Sequence, residues 1–211
     1  MILRNKKAVV AAQIAESAAL CTALAGQADA IVRVADQIVK AFRRGNKVLL
    51  FGNGGSAADA EHIACELSGK FTLYRDPLPA VALTTNTSSL TAIANDFGYN
   101  EVFARQLRGL ATRGDVVIGI STSGSSPNVI AGMEEAKRMG ATTVALTGRA
   151  GKLGDLSDHV IAVPSTNTPR IQESHIVVGH IICYLVEVTL FGSTQPSSTT
   201  GQSDETSEAS K

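Results

Sequence analysis

His62 and Glu66 stand four residues apart in the stretch FGNGGSAADAEHIACELSGKF, residues 51–71, a spacing that puts both side chains on one face of a helix. An imidazole beside a carboxylate can move a proton or hold a metal ion. Further along, RIQESHIVVGH, residues 170–180, supplies Gln172, Glu173, His175 and His180. On a helix, Gln172 and His180 lie about 80° apart round the axis, whereas Glu173 and His180 align. Spacing alone therefore pairs Glu173 with His180. Each residue also has a plain structural reading: a histidine hydrogen-bonded in a core or an interface, or Glu66 as a helix-surface charge paired with Lys70 at i+4. Cys65, beside Glu66, reads as a small buried residue rather than a nucleophile.

Two further segments have chemistry of a different kind. Asn53-Gly54-Gly55-Ser56 and Ser121-Thr122-Ser123-Gly124-Ser125-Ser126 each end an apolar run and open a helical one. Small residues let backbone N–H groups approach an anion, and the helix that follows turns its positive end toward it. The second segment adds five hydroxyls in six residues. One such loop is equally well a turn and a cap; two, both at strand ends, point to a phosphorylated ligand. Neither continues into GK[ST] and neither is GxGxxG, which argues against nucleotide hydrolysis and NAD chemistry.

The elements that must position these groups are legible as alternating patterns. Apolar runs over 47–51, 79–84, 115–120, 142–146 and 160–163 are continuous rather than alternating, which suits strands covered on both faces of a parallel sheet. Helical stretches over 56–67, 101–111 and 127–139 separate them, the last with Ser126 as a cap, Pro127 in its first turn and Gly140 past its end. Helices over 6–25 and 28–44 precede the first strand, and one over 170–190 follows the last, closed by Gly192. The pattern predicts a doubly wound α/β sheet with N-terminal helices, in one domain over 1–192. Residues 193–211 hold Ala209 as their only apolar side chain and are expected to be a disordered polar tail.

Composition excludes several function classes. Nineteen basic residues balance nineteen acidic ones, so direct nucleic-acid binding, which wants a basic surface, is not expected. No uninterrupted apolar run reaches the ~18 residues of a membrane span, and MILRNKKAVVAAQIAES lacks the pattern of a signal peptide. Cys21, Cys65 and Cys183 show no CxxC spacing, which fits a reducing cytoplasm.

GNGGSAADAEHIACELSGKF, TAIANDFGYNEVF, GISTSGSSPNVI, VALTG and RIQESHIVVGH, in this order over roughly residues 30–190, resemble the phosphoheptose (sedoheptulose-7-phosphate) isomerases of the sugar isomerase (SIS) domain superfamily. The resemblance implies a flavodoxin-like fold with a five-stranded parallel sheet and a homotetramer whose active sites draw on more than one subunit. It implies interconversion of sedoheptulose 7-phosphate and D-glycero-D-manno-heptose 7-phosphate for lipopolysaccharide or other surface heptoses. Substrate contacts carried over by motif are Asn53, Gly54, Gly55, Ser56, Glu66, Asn95, Asp96, Ser121, Thr122, Ser123, Ser126 and Gln172. A zinc site, one per subunit, maps to His62, Glu66, Gln172 and His180, so the resemblance selects Gln172 where spacing selects Glu173. Isomerisation gives Glu66 as the base and His180 as its partner acid. Family members commonly carry an Asp before Arg-Ile-Gln; here the order is Thr168-Pro169-Arg170. A sister family that binds the bacterial replication initiator protein shares LTAIAND and RIQE but resembles the enzymes without the Glu of HxxxE and the final His. Glu66 and His180 fill both positions here. The enzyme is therefore preferred, with a non-catalytic adaptor or a phosphosugar-binding regulator as the alternative.

Overall fold

The computed structural model describes residues 5–148 and 151–192, so the polar segment 193–211 lies outside the described residues. Five strands, β1 (Val48–Gly52), β2 (Ala80–Ala82), β3 (Val116–Ser121), β4 (Thr142–Thr147) and β5 (His159–Ala162), form one sheet. All are parallel, in the order β2-β1-β3-β4-β5. Parallel neighbours need crossovers, and helices supply them: α3 (Gly55–Ser68), α4 (Thr87–Phe97), α5 (Val102–Leu110), α6 (Pro127–Arg138) and α7 (Lys152–Leu156). Before the sheet come α1 (Lys6–Ala23) and α2 (Ala28–Arg43), and after it α8 (Thr168–Phe191). This is the flavodoxin-like strand order, whose direction of growth reverses between β1 and β3.

Period-two alternation in the strands splits the core into two layers. Val48, Leu50, Ile118, Ile120, Val144, Leu146 and Ile161 face α2, α3 and α8, where Val34, Ile38, Ile63, Leu67, Val178 and Ile182 meet them. Leu49, Phe51, Val117 and Ala145 face the other way onto Phe103, Leu107, Val129 and Met133 of α5 and α6. Phe51 and Phe103 stack with ring centroids 4.7 Å apart.

The first helix behaves differently. No residue of α1 is buried, and Val10 and Ile14 are 58% and 64% exposed. It is held to α8 by polar contacts: the Ser17 hydroxyl donates to Glu173 Oε2 at 2.8 Å, and Arg170 donates to the Gln13 carbonyl at 2.7 Å. By length and composition the helical stretches Lys6–Arg43 and Thr168–Phe191 are apolar enough to cross a membrane; 44% of the window in the second is buried inside the fold, against 6% in the first. In α8 that apolarity is explained by core packing.

Two details depart from the sequence reading. Ser126 stands at the N-cap position of α6 but makes no side-chain cap bond; its hydroxyl turns to Ser121 instead, 2.9 Å away. The helix expected over 101–111 is preceded by a 3-10 turn at Tyr99–Glu101.

Candidate active site

Loops at the carboxyl ends of β1 and β3 face each other across the switch point, where ligands bind in open α/β sheets. In the first, the Ser56 N–H closes onto the Asn53 carbonyl at 3.0 Å, and Ala57 and Ala58 donate to Gly54; α3 then starts directly. In the second, the hydroxyls bind one another. Ser121 and Ser126 are 2.9 Å apart, and Ser123 accepts from the Ser125 hydroxyl at 3.0 Å and from its N–H at 3.3 Å. The loop is therefore set before a ligand arrives, with the first turn of α6 behind it. Thr122 and Ser123 also line a cleft of about 200 Å³ with Ser165, Thr166 and Thr168, hydroxyls that no motif had marked.

A second cluster spans α3 and α8. His62 Nε2 lies 3.1 Å from Glu66 Oε1, the i,i+4 contact expected from spacing, and 3.1 Å from His180 Nε2. One donor atom from each of the three residues lies within 4.8 Å of the others. The Phe71 ring is 5.5 Å from that of His180. Gly179 makes the meeting of the helices geometrically feasible: a Cβ there would overlap Ile63, so its absence lets α8 approach α3 and sets His180 beside His62. Gln172 reaches the other end of α3, where its amide packs over Gly55 so closely that any side chain at Gly55 would collide with it.

Other residues went elsewhere. Glu173, which helical alignment favours, is engaged by Arg170 at 2.7 Å and by Ser17, on the side of α8 that carries α1. Asn95 and Asp96 bond each other on α4 at 2.8 Å; among the described residues no hydrogen bond joins them to either loop. Lys70 does not pair with Glu66; its ammonium sits 4.8 Å over the Tyr74 ring. Cys65 is exposed rather than buried, and Cys183 is the buried thiol, pushed up to about 12 by burial and by the nearby Glu66 charge. His175 is a core residue, fully buried and pushed down to about 4 by burial against a backbone hydrogen bond at Thr147.

Several participants were missed by the sequence reading. Asp59 lies one turn before His62; burial raises its carboxyl to about 6 despite the imidazole nearby. Tyr99 and Asn128 both bond the Asn53 amide. Arg75 and the buried Glu187 tie down the segment after α3. Their signal in the sequence was faint: Glu187 is a lone acid within the apolar run YLVEVTLF.

The arrangement offers an anion cradle, an acid–base pair and a set of N and O donors suited to zinc. Comparison with known proteins gives this chemistry a context. Residues 13–148 match the SIS domain family. The chain is 51% identical over 185 residues to the phosphoheptose isomerase of Burkholderia pseudomallei (strain 1710b), covering 87% of this chain and 90% of that one. It is 57% identical over 161 residues to the phosphoheptose isomerase of Aquifex aeolicus (strain VF5), covering 76% and 84%. Its fold is similar to the solved structure of phosphoheptose isomerase from Neisseria gonorrhoeae, with a TM-score of 0.82 at 41% identity, over 87% of this chain and 99% of that one.

Proposed function

The chain belongs to the SIS domain family and, within it, to the phosphoheptose isomerases; from that membership and the site's geometry we infer an aldose–ketose isomerase that acts on sedoheptulose 7-phosphate. The observation that carries the reading is the His62–Glu66–His180 cluster on α3 and α8, with two anion-type loops at the switch point from which α3 starts. We assign the product as D-glycero-D-manno-heptose 7-phosphate, a precursor of surface heptoses such as those of lipopolysaccharide, made in the cytoplasm. An isomerase assay on purified chain with analysis of the product tests this. A chain that captures a replication initiator protein and isomerises no sugar phosphate would establish the adaptor instead.

The chemistry moves one proton between C1 and C2. The Ser121–Ser126 hydroxyls and the α6 N-terminus hold the distal phosphate, while Asn53, Gly54, Gly55 and Ser56 contact the sugar chain between, so that the carbonyl end is directed toward Glu66. Asn95 and Asp96 complete the contacts to the sugar when a neighbouring subunit closes the site. Glu66 takes the proton from the carbon beside the carbonyl, and His180 protonates the carbonyl oxygen to give the enediol. Return of the proton to the other carbon, with deprotonation of the opposite hydroxyl, gives the aldose.

The donor set also fits a zinc ion. Tetrahedral zinc with ligands at ~2.0–2.1 Å places its ligand atoms about 3.3 Å apart, close to the two separations of 3.1 Å from His62, with the third pair within 4.8 Å. His62, Glu66 and His180 would hold it; Gln172, whose amide lies over Gly55 at the start of α3, would have to swing toward them to be the fourth ligand. Bound there, zinc supplies a positive charge that polarises the substrate carbonyl. Elemental analysis is expected to find up to one zinc per chain, and a chelator is expected to slow turnover without abolishing it. Full activity in chelator, with no divalent metal, would remove the metal and leave the roles of Glu66 and His180 in place.

The exposed apolar side of α1 is the surface we assign to subunit contacts in a homotetramer. Light scattering should give about four times the 21.9 kDa chain mass; an active species at the monomer mass would refute the assignment.

A further inference from the structure

Asn53 and Asn128 form a reciprocal amide pair across the switch point. Asn53 Nδ2 donates to Asn128 Oδ1 at 2.9 Å, and Asn128 Nδ2 donates to Asn53 Oδ1 at 2.8 Å. Asn128 sits in the first turn of α6 and is 2% exposed, so a loss of these bonds would leave a buried amide unsatisfied. The pair links the loop after β1 directly to the helix behind the hydroxyl-rich loop after β3.

Which way round the two amides lie follows from one backbone group. The Val129 N–H, which can only donate, points to Asn128 Oδ1 at 3.0 Å. That fixes the oxygen of Asn128, and Asn128 in turn fixes Asn53. Asn53 Oδ1 accepts from Asn128 and also from the Tyr99 hydroxyl at 3.1 Å, so both its lone pairs are taken. Its amide keeps one N–H, which no group among the described residues accepts.

We propose that Asn128, assisted by Tyr99, is a positioning residue that presents Asn53 to the substrate as a hydrogen-bond donor only. This rests on the isomerase reading above. The remaining Asn53 N–H suits a substrate oxygen that bears negative charge and only accepts, as those of a phosphate held by the neighbouring loop do. An Asn53 amide free to rotate could present its oxygen there instead, which would oppose that charge. The link also holds the loop after β1 at a fixed distance from the hydroxyl-rich loop.

Kinetics of the full chain on sedoheptulose 7-phosphate test the proposal. Asn128→Ala should lower kcat/KM by about 10- to 100-fold, the scale on which misplaced groups act. Asn53→Ala should do at least as much. The double variant should be no worse than Asn53→Ala alone, because Asn128 works through Asn53. Effects that multiply, or an Asn128→Ala enzyme within twofold of wild type, would overturn the proposal, since a purely structural Asn128 would act independently of Asn53. A wild type without turnover sinks the isomerase reading by itself. The pairing is then decided by side-chain 15N spectra: the Asn53 carboxamide signals should move in Asn128→Ala, and unmoved signals would refute it.

Discussion

Replacing Glu66 by glutamine is expected to lower kcat on sedoheptulose 7-phosphate by about 10²-fold or more, with little change in melting temperature. The factor is the usual loss for a general base. Glutamine keeps the shape and an acceptor oxygen but cannot take up a proton at neutral pH. Stability should hold because the Glu66 side chain is partly exposed, at 23%, and its close polar contact is with His62. The structural role of this position lies in its backbone carbonyl, which accepts from Arg75 at 2.9 Å and is untouched by the change. Zinc content should be measured on the same sample. A large fall in kcat with zinc retained assigns the loss to the missing base, while a parallel loss of zinc assigns it to the ligand. A variant within threefold of wild type would remove Glu66 from the proton path.

The sheet was legible because its strands are continuous apolar runs, which a two-faced parallel sheet requires and few other elements produce. Strand bounds came within one or two residues, the two-residue difference falling at the end of the edge strand β2. The helix α4 was harder: Thr87, Ser88 and Ser89 open it, and such residues favour caps and turns over helix interiors. Within the site, the contact between His62 and Glu66 is local and follows from helical spacing alone. The arrival of His180 beside them is not local; it depends on a glycine at 179 and an isoleucine at 63 meeting between helices. The choice between Gln172 and Glu173 shows the same limit. Seven-residue spacing aligned Glu173 with His180, but α1 and Arg170 claimed it, a competition visible only once the helices are packed. Asn128 was hidden for another reason: a buried amide two residues past a cap reads as ordinary helix start until its partner, 75 positions earlier, is known.

The largest loss of stability is expected from breaking the pair of Glu187 and Arg75. Both side chains are out of solvent, at 0% and 1% exposure, with Arg75 Nε donating to Glu187 Oε1 at 3.0 Å. Glu187 also accepts from the N–H groups of Phe71, Thr72 and Leu73 and from the Thr72 hydroxyl. Arg75 donates onward to the carbonyls of Glu66, Leu67 and Gly69. The pair therefore satisfies the carbonyl end of α3, where a cation is favoured, and pins the segment carrying Phe71 against His180. Glu187→Gln leaves a buried guanidinium without its counter-charge and turns an amide NH₂ toward backbone donors. Breaking a buried pair in this way costs about 3–5 kcal/mol, a large share of the ~5–15 kcal/mol that holds a typical domain. At ~2–4 °C per kcal/mol for a chain of this size, the melting temperature should fall by about 10 °C, compared at equal protein concentration. The pH profile gives an independent check. Burial opposes ionisation of Glu187, but the hydrogen bonds from Thr72, Leu73 and Phe71 outweigh it and hold the carboxyl at about 2, below its ordinary value of 4.5. A depressed carboxyl contributes stability above its unfolded pKa and loses it as pH falls, so wild-type stability should decline from about pH 4.5 toward 2. Asp59, raised to about 6 from 3.8, runs the other way: its share is full below about pH 4 and is lost as pH rises through 6. Glu187→Gln should therefore flatten the acid side of the profile and leave the shoulder near pH 6 unchanged. A variant that melts within 2 °C of wild type at pH 7, with the acid slope intact, would show that this carboxylate does not hold the end of α3.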